Sequence, residues 1–307
     1  MLNRRNVRVK VMQLLYMESR NSELKFSNLL SLYQTNVEKA FELYLFNLLF
    51  LIRLAEYARH DASNRKAKLR PTEKDLVFTP KLGTNELIVS LNKNEALERR
   101  FLKSHVASKI ERDTLRTFYT EFAKTEHYQN YLEQTESSTQ DHQNILLELF
   151  KHYSNTESFN ELLEDHYPAW SDDKSLVVAS IKKTIKILPA PTNFYEEYLP
   201  NEETSQYGAE LLRTTYYEST SLQEIIQPVL KNWDAERVAI IDMILLKMAL
   251  AELLHFPTIP AKVTLNEFVE VSKLYSTDKS KDFINGILDR LMKQLAESGK
   301  STNKGVD

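Results

Sequence analysis

The sequence predicts an all-α protein, and two observations carry that reading. Only 5 of its 307 residues are glycine, where an average composition of roughly 7% would bring about 21, too few for a fold rich in tight turns. Apolar residues also recur at three- and four-residue spacing along most of the chain. With 42% hydrophobic and 27% charged residues the composition is that of an ordinary globular protein. The length suits roughly two domains of about 100–200 residues, or one elaborated helical domain.

The first element is a helix with Val7, Val11, Leu14 and Leu15 on its packed stripe. Arg4 and Arg8 lie one turn apart on its flank, and Arg5 and Tyr16 farther round, giving a basic shoulder expected to stay wet. A second helix is predicted from about Val37 to Ala58, its wide apolar face (Phe41, Tyr44, Leu45, Leu48, Leu51, Ile52, Ala55) suited to the middle of a bundle. Residues 59–81 gather Arg59, Arg65, Lys66, Lys68, Arg70, Lys74 and Lys81 around Pro71 and Pro80, and read as an exposed basic connection. In the run from Arg99 to Arg116, Glu95, Glu98, Glu111 and Asp113 interleave with the basic residues, which favours paired charges on a solvated helix. From about Ala96 to Leu188 helices alternate with polar breaks at 136–140, 154–158 and 168–173. Pro189, Pro191 and Pro200, followed by Asn201, Glu202 and Glu203, mark the clearest domain boundary.

Past that boundary, Leu211, Leu212, Leu222, Ile225, Ile226, Val229 and Leu230 supply one or two helices, closed by Trp233 and Asp234. Asp234 is a candidate cap for a helix that is apolar nearly all round, from Val238 through Ile244, Met248 and Leu254, and is therefore central. Pro257 and Pro260 end it. Thr264 with Glu267 three residues on matches a capping box and predicts the start of the next helix. A last helix carries Phe283, Ile284, Ile287, Leu288, Leu291 and Leu295. The organisation expected is N-terminal helices at 1–58, a helical insertion at 59–200, a C-terminal helical block at 201–297 and a disordered tail at 298–307.

The absence of cysteine removes disulfides, thiolate metal sites and cysteine nucleophiles. No two of the seven histidines stand three or four residues apart, so no metal site is expected. The Gly299-Lys300-Ser301 string lacks the earlier glycine of a phosphate-binding loop, since Gln294 stands there, and no glycine-flanked nucleophilic serine occurs. No catalytic residue and no cofactor is therefore assigned. Basic residues interrupt the first 17 positions, and the longest apolar stretch, Leu43–Ile52, is short of the about 20 residues of a membrane span, so a cytoplasmic protein with no membrane partner is expected. The net charge of −3 hides an uneven map. Residues 1–20 balance at +4 and residues 121–173 at −10. The first stretch attracts phosphate; the second repels it, and either binds a basic partner or keeps the protein soluble.

Two blocks resemble the NusB family of RNA-binding transcription antitermination factors. The first runs from Arg4 through Arg5, Arg8, Lys10 and Gln13 to Leu15-Tyr16; the second contains Ile259-Pro260-Ala261-Lys262-Val263-Thr264-Leu265-Asn266-Glu267 and Phe283-Ile284-Asn285-Gly286-Ile287-Leu288-Asp289. Together they cover about residues 1–20 and 205–295, and the excess length lies between them. The resemblance implies a NusB-like helical bundle with a large helical insertion. It also implies a non-enzymatic protein that holds a single-stranded leader element of ribosomal RNA transcripts, with the ribosomal protein NusE, in an antitermination complex on RNA polymerase. Arg4, Arg5 and Arg8 offer planar donors to phosphate, Lys10 a point charge, and Tyr16 a face for an unpaired base. From the resemblance, Gln13, Lys281, Asp282, Phe283 and Asn285 border the RNA path, and Leu222, Ile226, Val229 and Glu236 meet the partner. Phe283 reads equally as core, Gly286 as a site of close helix approach, and Asn266, Glu267 and Asp289 as inter-helical hydrogen-bonding groups. Two alternatives stand beside this reading. One is a scaffold acting through its acidic insertion; the other is a module related to rRNA cytosine methyltransferases, which require a cysteine nucleophile and a glycine-rich cofactor domain.

Overall fold

The computed structural model describes residues 1–21, 23–232 and 238–298, and every regular element among them is helical. In chain order these are α1 (Arg4–Arg20), α2 (Phe26–Lys66), α3 (Glu73–Val77), α4 (Lys81–Thr84), α5 (Glu86–Asn92), α6 (Glu95–Lys103), α7 (Arg112–Phe122), α8 (Glu126–Glu133), α9 (Thr139–Ser154), α10 (Glu157–His166), α11 (Trp170–Ile187), α12 (Glu202–Tyr217), α13 (Ser219–Ile226), α14 (Ile240–His255), α15 (Ala261–Tyr275) and α16 (Ser280–Glu297). Short 3-10 turns occupy Val106–Lys109, Phe194–Tyr198 and Gln227–Asn232. None of the described helices is long and apolar enough to cross a membrane.

The chain forms two compact units, one of Met1 and Glu38–Leu199, the other of Leu2–Val37 and Pro200–Asp307. The second division falls at the proline-marked segment. The first falls at Val37–Glu38 inside α2, whereas the sequence grouped residues 1–58 together. The reason is burial: from Phe41 to Ala58 nearly every side chain of α2 is inside the first unit, Asn47 included, so this stretch is the axis of that unit's core. Aromatic rings pack around it, with Phe50 at 5.0 Å from both Tyr153 and Phe159. The surrounding helices start where side-chain acceptors meet free N–H groups, as at Asn85, Asn94, Thr125, Ser138 and Thr156.

The basic segment 59–81 differs from the expected open connection. Residues up to Lys66 prolong α2, supported by the Asp61–Arg65 pair one turn apart (2.9 Å). The predicted pairing in the next basic run is present at Arg99 and Glu95 (3.6 Å).

In the second unit α14 is the central helix, buried on almost all sides from Ile244 to Leu253. Its proposed cap Asp234, together with Trp233, Glu236 and the tail from Gly299, lies outside the described residues. The Thr264–Glu267 pattern does not start α15. That helix begins after Pro260, which leaves Thr264 buried in its second turn. Thr264 and Glu267 are used instead by a polar network that the sequence pattern does not disclose.

Candidate functional site

Asn3 caps α1: its side chain accepts from the Asn6 N–H (3.0 Å), and the Asn6 side chain accepts from the Asn3 N–H (3.4 Å). The arginines follow at once, and they part company. Arg8 points inward and is 2% exposed. Its Nε and Nη2 donate to the two carboxylate oxygens of Glu252 at 2.9 and 2.7 Å. Glu252 sits on the apolar α14 and is fully buried, so it requires such a fork. Tyr207 from α12 donates its hydroxyl to Glu252 Oε2, and Thr264 from α15 donates to Oε1 at 2.7 Å. One carboxylate thereby ties α1, α12 and α15 to α14. The Arg8 guanidinium also lies over the rings of Tyr207 (5.4 Å) and Phe268 (5.6 Å).

Arg5 and Arg4 remain at the surface. Arg5 makes a second bidentate fork, Nε and Nη2 to Glu267 at 2.8 and 2.7 Å, and Arg4 donates to Glu203 at 2.8 Å. Arg8 Nη1 reaches Glu267 at 3.4 Å, so the two forks share one edge. Asn3, Arg4, Arg5, Ile259 and Val263 line an open cleft of about 310 Å³ with Arg8 and Glu267. Each surface arginine keeps donors that its carboxylate does not use.

Burial is the largest influence on Arg8 and opposes its charge, but the Glu252 hydrogen bonds and neighbouring negative groups outweigh it and raise its pKa. Glu267 is held below the usual carboxylate range by the Arg5 hydrogen bond first, and then by the charges of Arg5 and Arg8. A carboxylate with a depressed folded-state pKa adds stability that is present above its unfolded value and lost as pH falls through the folded one. Stability is therefore expected to decline as pH drops below about 4.5, the ordinary Glu value. In Glu267→Gln that part of the decline should be absent, which urea titrations across pH 3–6 at ~0.5-unit steps would read.

Lys10 is buried (2% exposed), and so are Arg8 and Phe283, so three of the residues expected to meet RNA lie inside the second unit. A guanidinium or ammonium stays charged there only when held by internal partners. Gln13 is half-buried and Tyr16 is 40% exposed. Lys281, Asp282 and Asn285 are exposed on the first turns of α16. That helix start is clasped by the buried Asp242 of α14, whose oxygens accept from Ser276 (2.6 Å) and Ser280 (2.8 Å). Leu222, Ile226 and Val229 are buried at 1%, 0% and 6% exposure. They pack the core of their own unit and do not present a partner surface; Glu236 lies outside the described residues. No group of three or more His, Asp or Glu among the described residues could hold a metal.

Gly286 also departs from expectation, because a Cβ built there meets nothing within 4 Å. No helix approaches it. Gly286→Ala should therefore stabilise the protein by about 1 kcal/mol through helix propensity alone, checked by its urea midpoint. Glu252, Tyr207, Glu203 and Asp242 went unassigned as site residues. The readable signal was Glu252 itself: a carboxylate on a helix apolar all round demands a buried cation.

The NusB family model matches residues 183–293. Similar proteins include the transcription antitermination protein NusB of Salinibacter ruber, 37% identical over 102 residues, 33% of this chain and 64% of that protein. NusB of Oleidesulfovibrio alaskensis is 42% identical over 98 residues, 32% of this chain and 63% of that protein. For both, the match spans slightly less than two thirds of the relative's length. NusB of Thermodesulfovibrio yellowstonii is 38% identical over 110 residues, 36% of this chain and 72% of that protein. A solved T. maritima NusB structure is 28% identical, covering 36% of this chain and 82% of that chain, with a TM-score of 0.31. The family match does not include α1, the helix that the Arg8–Glu252 fork joins to α14.

Proposed function

The chain belongs to the NusB family, and from that premise we propose that it is a non-enzymatic transcription antitermination factor. In this reading it binds a single-stranded leader element of rRNA transcripts together with NusE, in a complex on RNA polymerase in the cytoplasm. The observation that carries the reading is the pair Arg4 and Arg5, part-exposed beside the open cleft and each held in a fixed direction by one carboxylate. Their unused N–H groups suit phosphate oxygens, and Tyr16, on the same helix, offers a ring to an unpaired base. Arg8 is a positioning residue that holds the helix on which Arg4 and Arg5 stand. Lys281, Asp282 and Asn285 extend the proposed RNA contact from α16.

Titrating the protein into fluorescent leader RNA and a scrambled RNA, at two salt concentrations and with or without NusE, tests this. Tighter binding to the leader RNA, strengthened by NusE, is expected. Arg4→Ala with Arg5→Ala should weaken binding several-fold at unchanged circular dichroism. The pair should also reduce the slope of log K against log salt by roughly 1.4, about 0.7 per lost contact to single-stranded RNA. Equal affinity for both RNAs, indifferent to NusE, would end the proposal.

A further inference from the structure

The first unit carries a surface element that no family resemblance explains. Between α2 and α3 the chain is pinned by Asp75, whose carboxylate accepts from Lys68 Nζ (2.7 Å), the Thr72 N–H (3.0 Å) and the Thr72 hydroxyl (2.8 Å). Arg65 stacks on Phe78 at 4.3 Å. This fixed shape presents Leu69 fully to solvent, with Val77 74% and Leu76 55% exposed. Lys66, Arg70 and Lys74 stand among them, exposed and without ion pairs among the described residues. Three aliphatic side chains and three unpaired cations on an ordered projection mark a docking element. Aliphatic groups offer no stacking face to a base, which favours a protein occupant over RNA.

The complementary chemistry lies on the same unit. Residues 121–148 hold six acids against Lys124, and Glu126, Glu133 and Glu136 are exposed without ion pairs among the described residues. Between α8 and α9 an open recess of about 210 Å³ is walled by His127, Tyr131, Gln134, Asp141 and Glu148, and the exposed Glu126 and Glu133 stand outside it at the two ends of α8. The segment that bears the projection ends on this wall: Lys81 donates at 2.7 Å to the carbonyls of both Tyr131 and Gln134. Projection and recess are thus neighbours. A patch with a basic apolar projection beside an acidic recess is self-complementary about a two-fold axis, the arrangement that closes a dimer.

We propose that the first unit pairs with a second copy of this chain, the loop of residues 66–77 of each copy seated at the acidic recess of the other. Analytical ultracentrifugation of the full chain tests it without RNA. A dimer at low salt that loosens at high salt is expected. Leu69→Ser, the loop reversal Arg70→Glu with Lys74→Glu, and the recess reversal Glu126→Lys with Glu133→Lys should each weaken pairing tenfold or more at unchanged circular dichroism. Mixing the two reversed variants should restore a dimer, because both contacts are again complementary. A monomer at both salts overturns the proposal, as does a dimer indifferent to all three variants. So does a loop reversal that leaves the mass unchanged and lowers only the salt slope of RNA binding, which would make the loop an RNA contact.

Discussion

Glu252→Ala is expected to lower the unfolding free energy by about 3–5 kcal/mol, because it takes the bidentate partner from the buried Arg8 guanidinium and leaves it only the longer 3.4 Å contact to Glu267. The size follows from position: Arg8 is 2% exposed and Glu252 0%, so water cannot replace the missing carboxylate. Tyr207 and Thr264 lose their acceptor in the same substitution. The measurement is the urea midpoint at neutral pH. Replacing both Arg8 and Glu252 by Met should return a large part of the loss, since an apolar pair of similar volume leaves no buried charge. A loss below about 1 kcal/mol for Glu252→Ala, the worth of an ordinary neutral hydrogen bond, would show that the fork does not organise this unit.

Gly208→Ala is expected to destabilise by about 1–3 kcal/mol, against the roughly 1 kcal/mol gain that alanine brings to a free helix position. The added Cβ would stand 2.2 Å from Val7 Cγ1 and 2.2 Å from the Tyr33 hydroxyl. Both neighbours must yield: Val7 on α1 has to move, and Tyr33 has to shift its hydroxyl from the 3.0 Å hydrogen bond to the Ser205 carbonyl. The same exchange at Gly286 meets open space, so the two variants should shift the thermal midpoint in opposite directions. Equal shifts would mean that α12 does not pack against α1 at Gly208 as described.

Helical periodicity was sufficient for the elements themselves. Apolar residues at three- and four-residue spacing must share a face, and the breaks near 136–140 and 154–158 fall between α8, α9 and α10. Capping was less legible. Thr264 and Glu267 have the spacing of a helix start, but the same two side chains suit hydrogen bonds to Glu252 and Arg5, and spacing does not say which partner is nearer. The sign of a residue's exposure was hidden in the same way. The resemblance implies a partner contact at Leu222, Ile226 and Val229, yet all three are buried. Arg8 looks in sequence like Arg4 and Arg5, and one turn of helix separates a surface donor from a buried one.

By itself the sequence determined the helical class, the central place of α14 and the basic character of α1, because composition and periodicity act through local geometry and burial. Only the tertiary structure decided which arginine stays at the surface and which is buried. That choice depends on a single carboxylate, Glu252, brought within 3 Å of a residue 244 positions away. Burial then enforces the choice: a charge removed from water must be matched where it stands, and Arg8, not Arg4 or Arg5, stands there.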